Sequence, residues 1–154
     1  MNKTNDVTVR VELYRVARDE QRLLSSSELA ARLGLSTSSV DDSFERLARE
    51  HVIVLGPDGR VHMAMPFSGV PTTVRVTRDG KQWWANCAWD GLGIPAAIDG
   101  GRLETTIETD CADCRERMRI SVSGGEARDA DTRSEPVVHF AVPAARWWED
   151  IRFT

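Results

Sequence analysis

Two side chains three residues apart, Cys87 and Asp90, carry the sharpest chemical signal in the sequence. A thiolate is a nucleophile and a soft-metal ligand. A carboxyl can hold, give or take a proton. If residues 86–92 form a helical turn, both side chains project from one face as neighbours. Trp83, Trp84 and Trp89 flank the pair and would supply an apolar wall. A plainer reading stands beside this one: a small buried core cysteine and a helix-capping aspartate. Spacing alone leaves the two readings level.

The other two cysteines form Cys111-Ala112-Asp113-Cys114, a CxxC, which is half of a zinc site or a redox pair. The sequence has no second CxxC, and His51, His62 and His139 show no ligand spacing. No βαβ pattern surrounds the motif, which removes a thioredoxin-like reading. The expectation is therefore a cysteine-containing turn between two strands. His139 sits in an apolar run and reads as a core or edge histidine. Trp147 and Trp148 read as hydrophobic packing, and the alternating Arg115, Arg117 and Arg119 as a solvated face.

The elements that must position these groups fall into two parts. Residues 1–65 read as a module of three helices and a hairpin. In the first helix Leu13, Tyr14, Val16 and Ala17 recur at helical spacing. Val7, Val9, Val11 and Leu13 alternate as in a strand, so the helix is expected from about Val9 onward. Ser25 and Glu28 have capping-box spacing, and Gly34 ends the second run. Ser36 is a natural N-cap for a third helix with Val40, Phe44, Leu47 and Ala48 as its buried stripe. Residues 52–55 and 60–65 read as strands about a Gly56-Pro57-Asp58-Gly59 turn. Three helices and a hairpin resemble a winged helix-turn-helix. From Pro66 the character changes, and residues 66–154 read as a mostly antiparallel β core with short helices. Strands are expected at residues 73–77, 103–109, 118–122 and 137–142, a loop over 123–136, and a short helix over 143–150. The fold class is α+β.

Composition excludes several functions. The chain has 154 residues, 41% hydrophobic and 29% charged, which suits a soluble globular protein. No apolar run is long enough to span a membrane, and no signal-peptide region follows Met1. Three cysteines give no disulfide framework, so a cytoplasmic protein is expected. A net charge of −4 argues against nucleic acid as the main partner. So does the third helix, whose outward positions include Asp41, Asp42 and Glu45, while the hairpin offers only Arg60 and His62.

At Cys87 the residues take on a family likeness. Trp84-Ala85-Asn86-Cys87-Ala88-Trp89-Asp90-Gly91-Leu92-Gly93-Ile94-Pro95-Ala96 resembles the catalytic segment of the organomercurial (alkylmercury) lyases. Pro66-Phe67-Ser68 and Thr109-Asp110-Cys111, leading into Ile120-Ser121-Val122-Ser123, add to the resemblance, as does the N-terminal layout. The resemblance implies protonolysis of a carbon–mercury bond, with Cys87 as a mercury-binding thiolate and Asp90 as the proton shuttle. It implies Trp84, Trp89 and Phe67 as substrate-binding walls, external thiols as co-reactants, no other cofactor, and a mercuric reductase downstream. The family's second catalytic cysteine comes late, close behind a stretch like Trp148 to Thr154. The matched residues lack it, and Cys114 is the candidate substitute. If the chain is a piece of a longer protein, apolar surface near Trp147 and Trp148 would favour a homodimer. Other expectations stand beside the lyase: a repurposed or non-catalytic protein binding a soft metal or another ligand through Cys87, and a winged-helix regulator.

Overall fold

In the computed structural model, which describes residues 3–129 and 137–151, the chain opens on α1, Lys3–Glu20. Its helical period overrides the strand-like alternation at its start. Val9, Leu13, Val16 and Ala17 are buried on one side, whereas Val7 and Val11 are 62% and 61% exposed. The helix therefore begins well before Val9. α2, Ser26–Leu33, starts on a capping box in which Ser25 and Glu28 satisfy each other's backbone, and it stops at Gly34 in the left-handed region. α3, Thr37–Arg49, is capped by Ser36 and buries Val40, Phe44 and Leu47. Its residues Asp41, Asp42 and Glu45 are exposed.

The strands that follow are β1 (Val54–Leu55), β2 (Val61–Ala64), β3 (Phe67–Ser68), β4 (Val74–Arg78) and β5 (Lys81–Ala85). Helix α4, Ala88–Asp99, comes next, then β6 (Thr105–Asp110), β7 (Arg117–Ser123) and β8 (Glu126–Asp129). All eight strands join one antiparallel sheet in the order β1-β2-β3-β5-β4-β6-β7-β8. The fold is α+β, with helices leading into an antiparallel sheet that carries short helices. No helix among the described residues is long and apolar enough to cross a membrane.

Two expectations in the last third are corrected. The region expected as a loop over 123–136 begins with a hairpin, because Gly124 and Gly125, both at positive φ, let β8 fold back on β7. The remainder, 130–136, lies outside the described residues. Residues 137–142 form no strand. Among the described residues they pair with no strand, and they run, exposed except for half-buried Val142, into a 3-10 helix, Ala144–Glu149, where a short helix was expected. His139 is accordingly exposed rather than held in a strand.

Two buried clusters share α1. One joins α1, α2, α3 and the β1–β2 hairpin, and the other joins Ala17 to the sheet and α4 through Val74, Val76, Trp83, Ala85, Ile94 and Ile107. The Trp83 indole N–H fixes the junction by donating to the Ala17 carbonyl at 3.0 Å. α4 lies on the same face as Trp83, across β4, β5 and β6. It comes so close that a Cβ at Gly91 would stand 2.9 Å from Val74 Cγ1 and 3.1 Å from Ile107 Cγ2. In an open helix Gly→Ala stabilises by about 0.5–1 kcal/mol. Here overpacking reverses the sign, and Gly91→Ala is expected to cost about 1–3 kcal/mol. Urea unfolding checks this, and an alanine variant as stable as the parent would show that α4 does not sit so tightly.

Candidate functional site

The site is built where β5 hands over to α4. The end of β5 is pinned from the side: the Thr72 hydroxyl donates to the Ala85 carbonyl at 2.6 Å and accepts the Val74 N–H at 3.1 Å. Asn86 then turns the chain. Cys87 takes the N-cap position with extended backbone, φ −148° and ψ 178°. Its carbonyl accepts the Gly91 N–H at 2.9 Å, which closes the first turn of α4. Asp90 lies in that turn, so the sequence spacing becomes a real neighbourhood of thiol and carboxyl. Both side chains are half-buried.

Asn86 organises the pair. Its amide Nδ2 donates to Asp90 Oδ2 at 2.8 Å and reaches toward the Phe67 carbonyl at 3.5 Å. Its Oδ1 is buried and accepts no hydrogen bond. Burial raises the Asp90 carboxyl above its ordinary range, and the Asn86 amide pulls it part of the way back. Burial also raises the Cys87 thiol. The Asp90 N–H and, more weakly, the Trp89 N–H oppose that rise without forming a full capping hydrogen bond, and the Asp90 charge adds to it. Both groups thus lean toward their proton-bearing forms.

Sequence reasoning placed Tyr14 only on a helix face, yet it belongs to this neighbourhood. Its hydroxyl donates to the Val52 carbonyl at 3.1 Å, and its ring meets Phe67 edge-on at 6.5 Å. Burial raises its hydroxyl, Arg10 opposes, and the negative charge of Asp90 raises it further, which puts Tyr14 in the field of that carboxyl. The sequence held no signal for this, since Tyr14 and Asp90 meet only through the fold. Asn86 was legible in principle, because an amide four residues before a helical carboxylate is within bonding reach.

The remaining candidates divide. Phe67 is buried at 4% exposure beside Ala85, so it floors the site. Trp89 is 54% exposed and meets Phe140 edge-on at 6.0 Å, with Trp147 stacked obliquely beyond at 4.9 Å. Trp148 lies flat on His51 at 4.0 Å, so both late tryptophans pack as expected. Trp84 alternates with buried Trp83 and Ala85 along β5 and projects from the opposite face of the sheet, away from α4. Cys111 and Cys114 form the expected turn between β6 and β7. Among the described residues no three His, Cys, Asp or Glu side chains are grouped to hold a metal ion.

This fold and this thiol–carboxyl helix start define a class. Residues 67–154 match the family model described as "MerB: Alkylmercury lyase". The chain belongs to the alkylmercury lyase family. It is also similar to a solved structure titled "Crystal structure of the mercury-bound form of MerB2", with a TM-score of 0.64 and 25% identity over 80% of this chain. The chain spans 58% of the length of that relative. No curated protein matches it.

The raised carboxyl has a measurable consequence. In the unfolded chain Asp90 returns to about its ordinary value, 3.8. Folding favours its protonated form, so its contribution to stability is full below pH 3.8 and is lost as pH rises through the higher folded value. Asp90→Asn is therefore expected to be more stable than the parent at pH 7, with the advantage gone below pH 3.8. Denaturant unfolding across that range checks this, and an advantage independent of pH would refute it.

Proposed function

We propose that the protein cleaves the carbon–mercury bond of organomercurials by protonolysis, with Cys87 as the mercury-binding sulfur and Asp90 as the proton carrier. The observation that carries this reading is the half-buried Cys87–Asp90 pair at the start of α4, with Asn86 holding the carboxyl. Family membership supplies the substrate class.

The chemistry balances on one proton. The Cys87 sulfur bonds to the mercury of an alkyl- or arylmercurial and gives up its thiol proton. Metal ligation requires this deprotonation, and a soft sulfur donor suits a soft metal. Asp90, adjacent and biased by burial toward its acid form, donates a proton to the carbon bound to mercury. The carbon–mercury electron pair becomes the new C–H bond. The thiol proton restores Asp90, and mercury(II) stays on Cys87 with its other ligand. External thiols then exchange it off. Phe67 and Tyr14 give the organic group an apolar floor, and burial raises the Asp90 carboxyl toward its acid form.

The test supplies an alkyl- or arylmercurial with excess thiol and measures released hydrocarbon. Cys87→Ser is expected to reduce release to background. Asp90→Asn is expected to lower the rate by about 10²–10⁴-fold while mercury binding persists. Mercury bound one-to-one with no hydrocarbon from the parent protein would instead make this a capture protein.

A further inference from the structure

The turn from β6 to β7 holds the two thiols that the proposed reaction leaves unused. Cys111 directly follows β6, and Cys114 stands three residues on. The turn closes on itself: the Cys111 N–H donates to the Glu116 carbonyl at 2.8 Å, and the Arg115 N–H donates to the Cys111 carbonyl at 3.0 Å. Arg115 accepts a φ of 61° to complete the fold-back. In a turn closed by that second bond, side chains three residues apart such as Cys111 and Cys114 project to one side. Cys114 is exposed and Cys111 partly so, which leaves both open to an ion from solvent.

The ligand count selects the ion. A structural zinc takes four ligands. Among the described residues no third His, Cys, Asp or Glu joins the two sulfurs. A two-sulfur set suits a soft cation content with two donors. The position of the turn adds a second argument. Ala85 pairs with Val74 and Glu108 pairs with Arg75, so β5 and β6 run out at the same end of the sheet on either side of β4. Cys87 and Cys111 leave the sheet there with about 10 Å of lateral strand spacing between them.

We propose that Cys111 and Cys114 form a chelating dithiolate site whose ligand is the mercuric ion. Chelation stands on the turn itself. Delivery from Cys87 rests on the lyase reading above. That delivery is a ligand exchange. Mercury's bonds to the Cys87 sulfur and to an external thiolate break, and bonds to Cys111 and Cys114 form. The two thiol protons of the turn pass to the two departing thiolates, and no electrons are transferred. The advantage over Cys87 is intramolecular: once one sulfur binds, the second is present at an effective concentration of about millimolar or above.

The experiment titrates the reduced full chain with mercuric chloride against a millimolar monothiol and counts bound mercury by native mass spectrometry. Cys87→Ser is expected to retain one mercury under this competition. Cys111→Ser and Cys114→Ser, each placed in the Cys87→Ser background, are expected to lose it by tenfold or more. The proposal is overturned if Cys87→Ser retains none, or if the serine variants of the turn keep theirs. Zinc chloride held more firmly than mercury would overturn the choice of ion. Because inorganic mercury is the probe and Cys87 is removed, failure of the lyase reading leaves this result untouched.

Discussion

Helix α4 rests on the sheet through a residue that has no side chain. At Gly91 the helix backbone comes against Val74 of β4 and Ile107 of β6, and any larger residue would push it away. That approach sets where the first turn of α4 lies, and therefore where Cys87 and Asp90 lie. It also sets their electrostatics. A turn pressed this hard on an apolar sheet loses water, and lost water raises a carboxyl and a thiol alike. One packing constraint thus yields both the geometry of the pair and its proton-bearing bias.

The choice of partner decides what burial does to an acid. Glu108 is bonded to Arg75 and Asp6 to Arg46, and the guanidinium in each case holds the carboxyl below its ordinary range. Those groups are fixed anions that tie elements together. Asp90 has the neutral amide of Asn86 instead. A neutral donor orients the carboxyl but supplies too little field to offset desolvation, so the carboxyl stays raised. An arginine in place of Asn86 would make a stronger bond and lower the carboxyl instead. The fold accepts a buried acid at a cost in stability, which is the usual signature of a group kept for chemistry.

The parts legible in the sequence were those with local causes. The Ser25–Glu28 box, the Gly34 stop and the Ser36 cap are short-range hydrogen-bond devices, and each appears where its residues stand. The Cys87–Asp90 neighbourhood is likewise a property of one helical turn. What stayed hidden depended on distant partners. Residues 137–142 have strand-like composition, but a strand forms only by pairing with an edge, and among the described residues these pair with none. β8 was missed because Gly124-Gly125 reads equally as a loop and as a tight reversal, and only pairing with β7 decides. Val7 and Val11 mimicked a strand because a helix also tolerates apolar residues on its wet face. Trp84 looked like a site wall from its place in the chain, yet strand alternation turns it to the other face of the sheet.

The N-terminal helices bear on the site through shared packing. α1 contributes to both buried clusters, and the Trp83 indole bonds its last turn to β5, two residues before that strand ends. Through Tyr14 the same helix reaches Phe67 and the field of Asp90. Tyr14 is held in turn by the Val52 carbonyl, which follows α3. The contacts run from Val52 to Tyr14, from Tyr14 to Phe67, and from the Phe67 carbonyl through Asn86 to the Asp90 carboxyl. Their effect is to set an aromatic ring edge-on against the floor of the site. The raised Asp90 carboxyl thus sits in a site whose floor, Phe67, is packed against α1 through Tyr14.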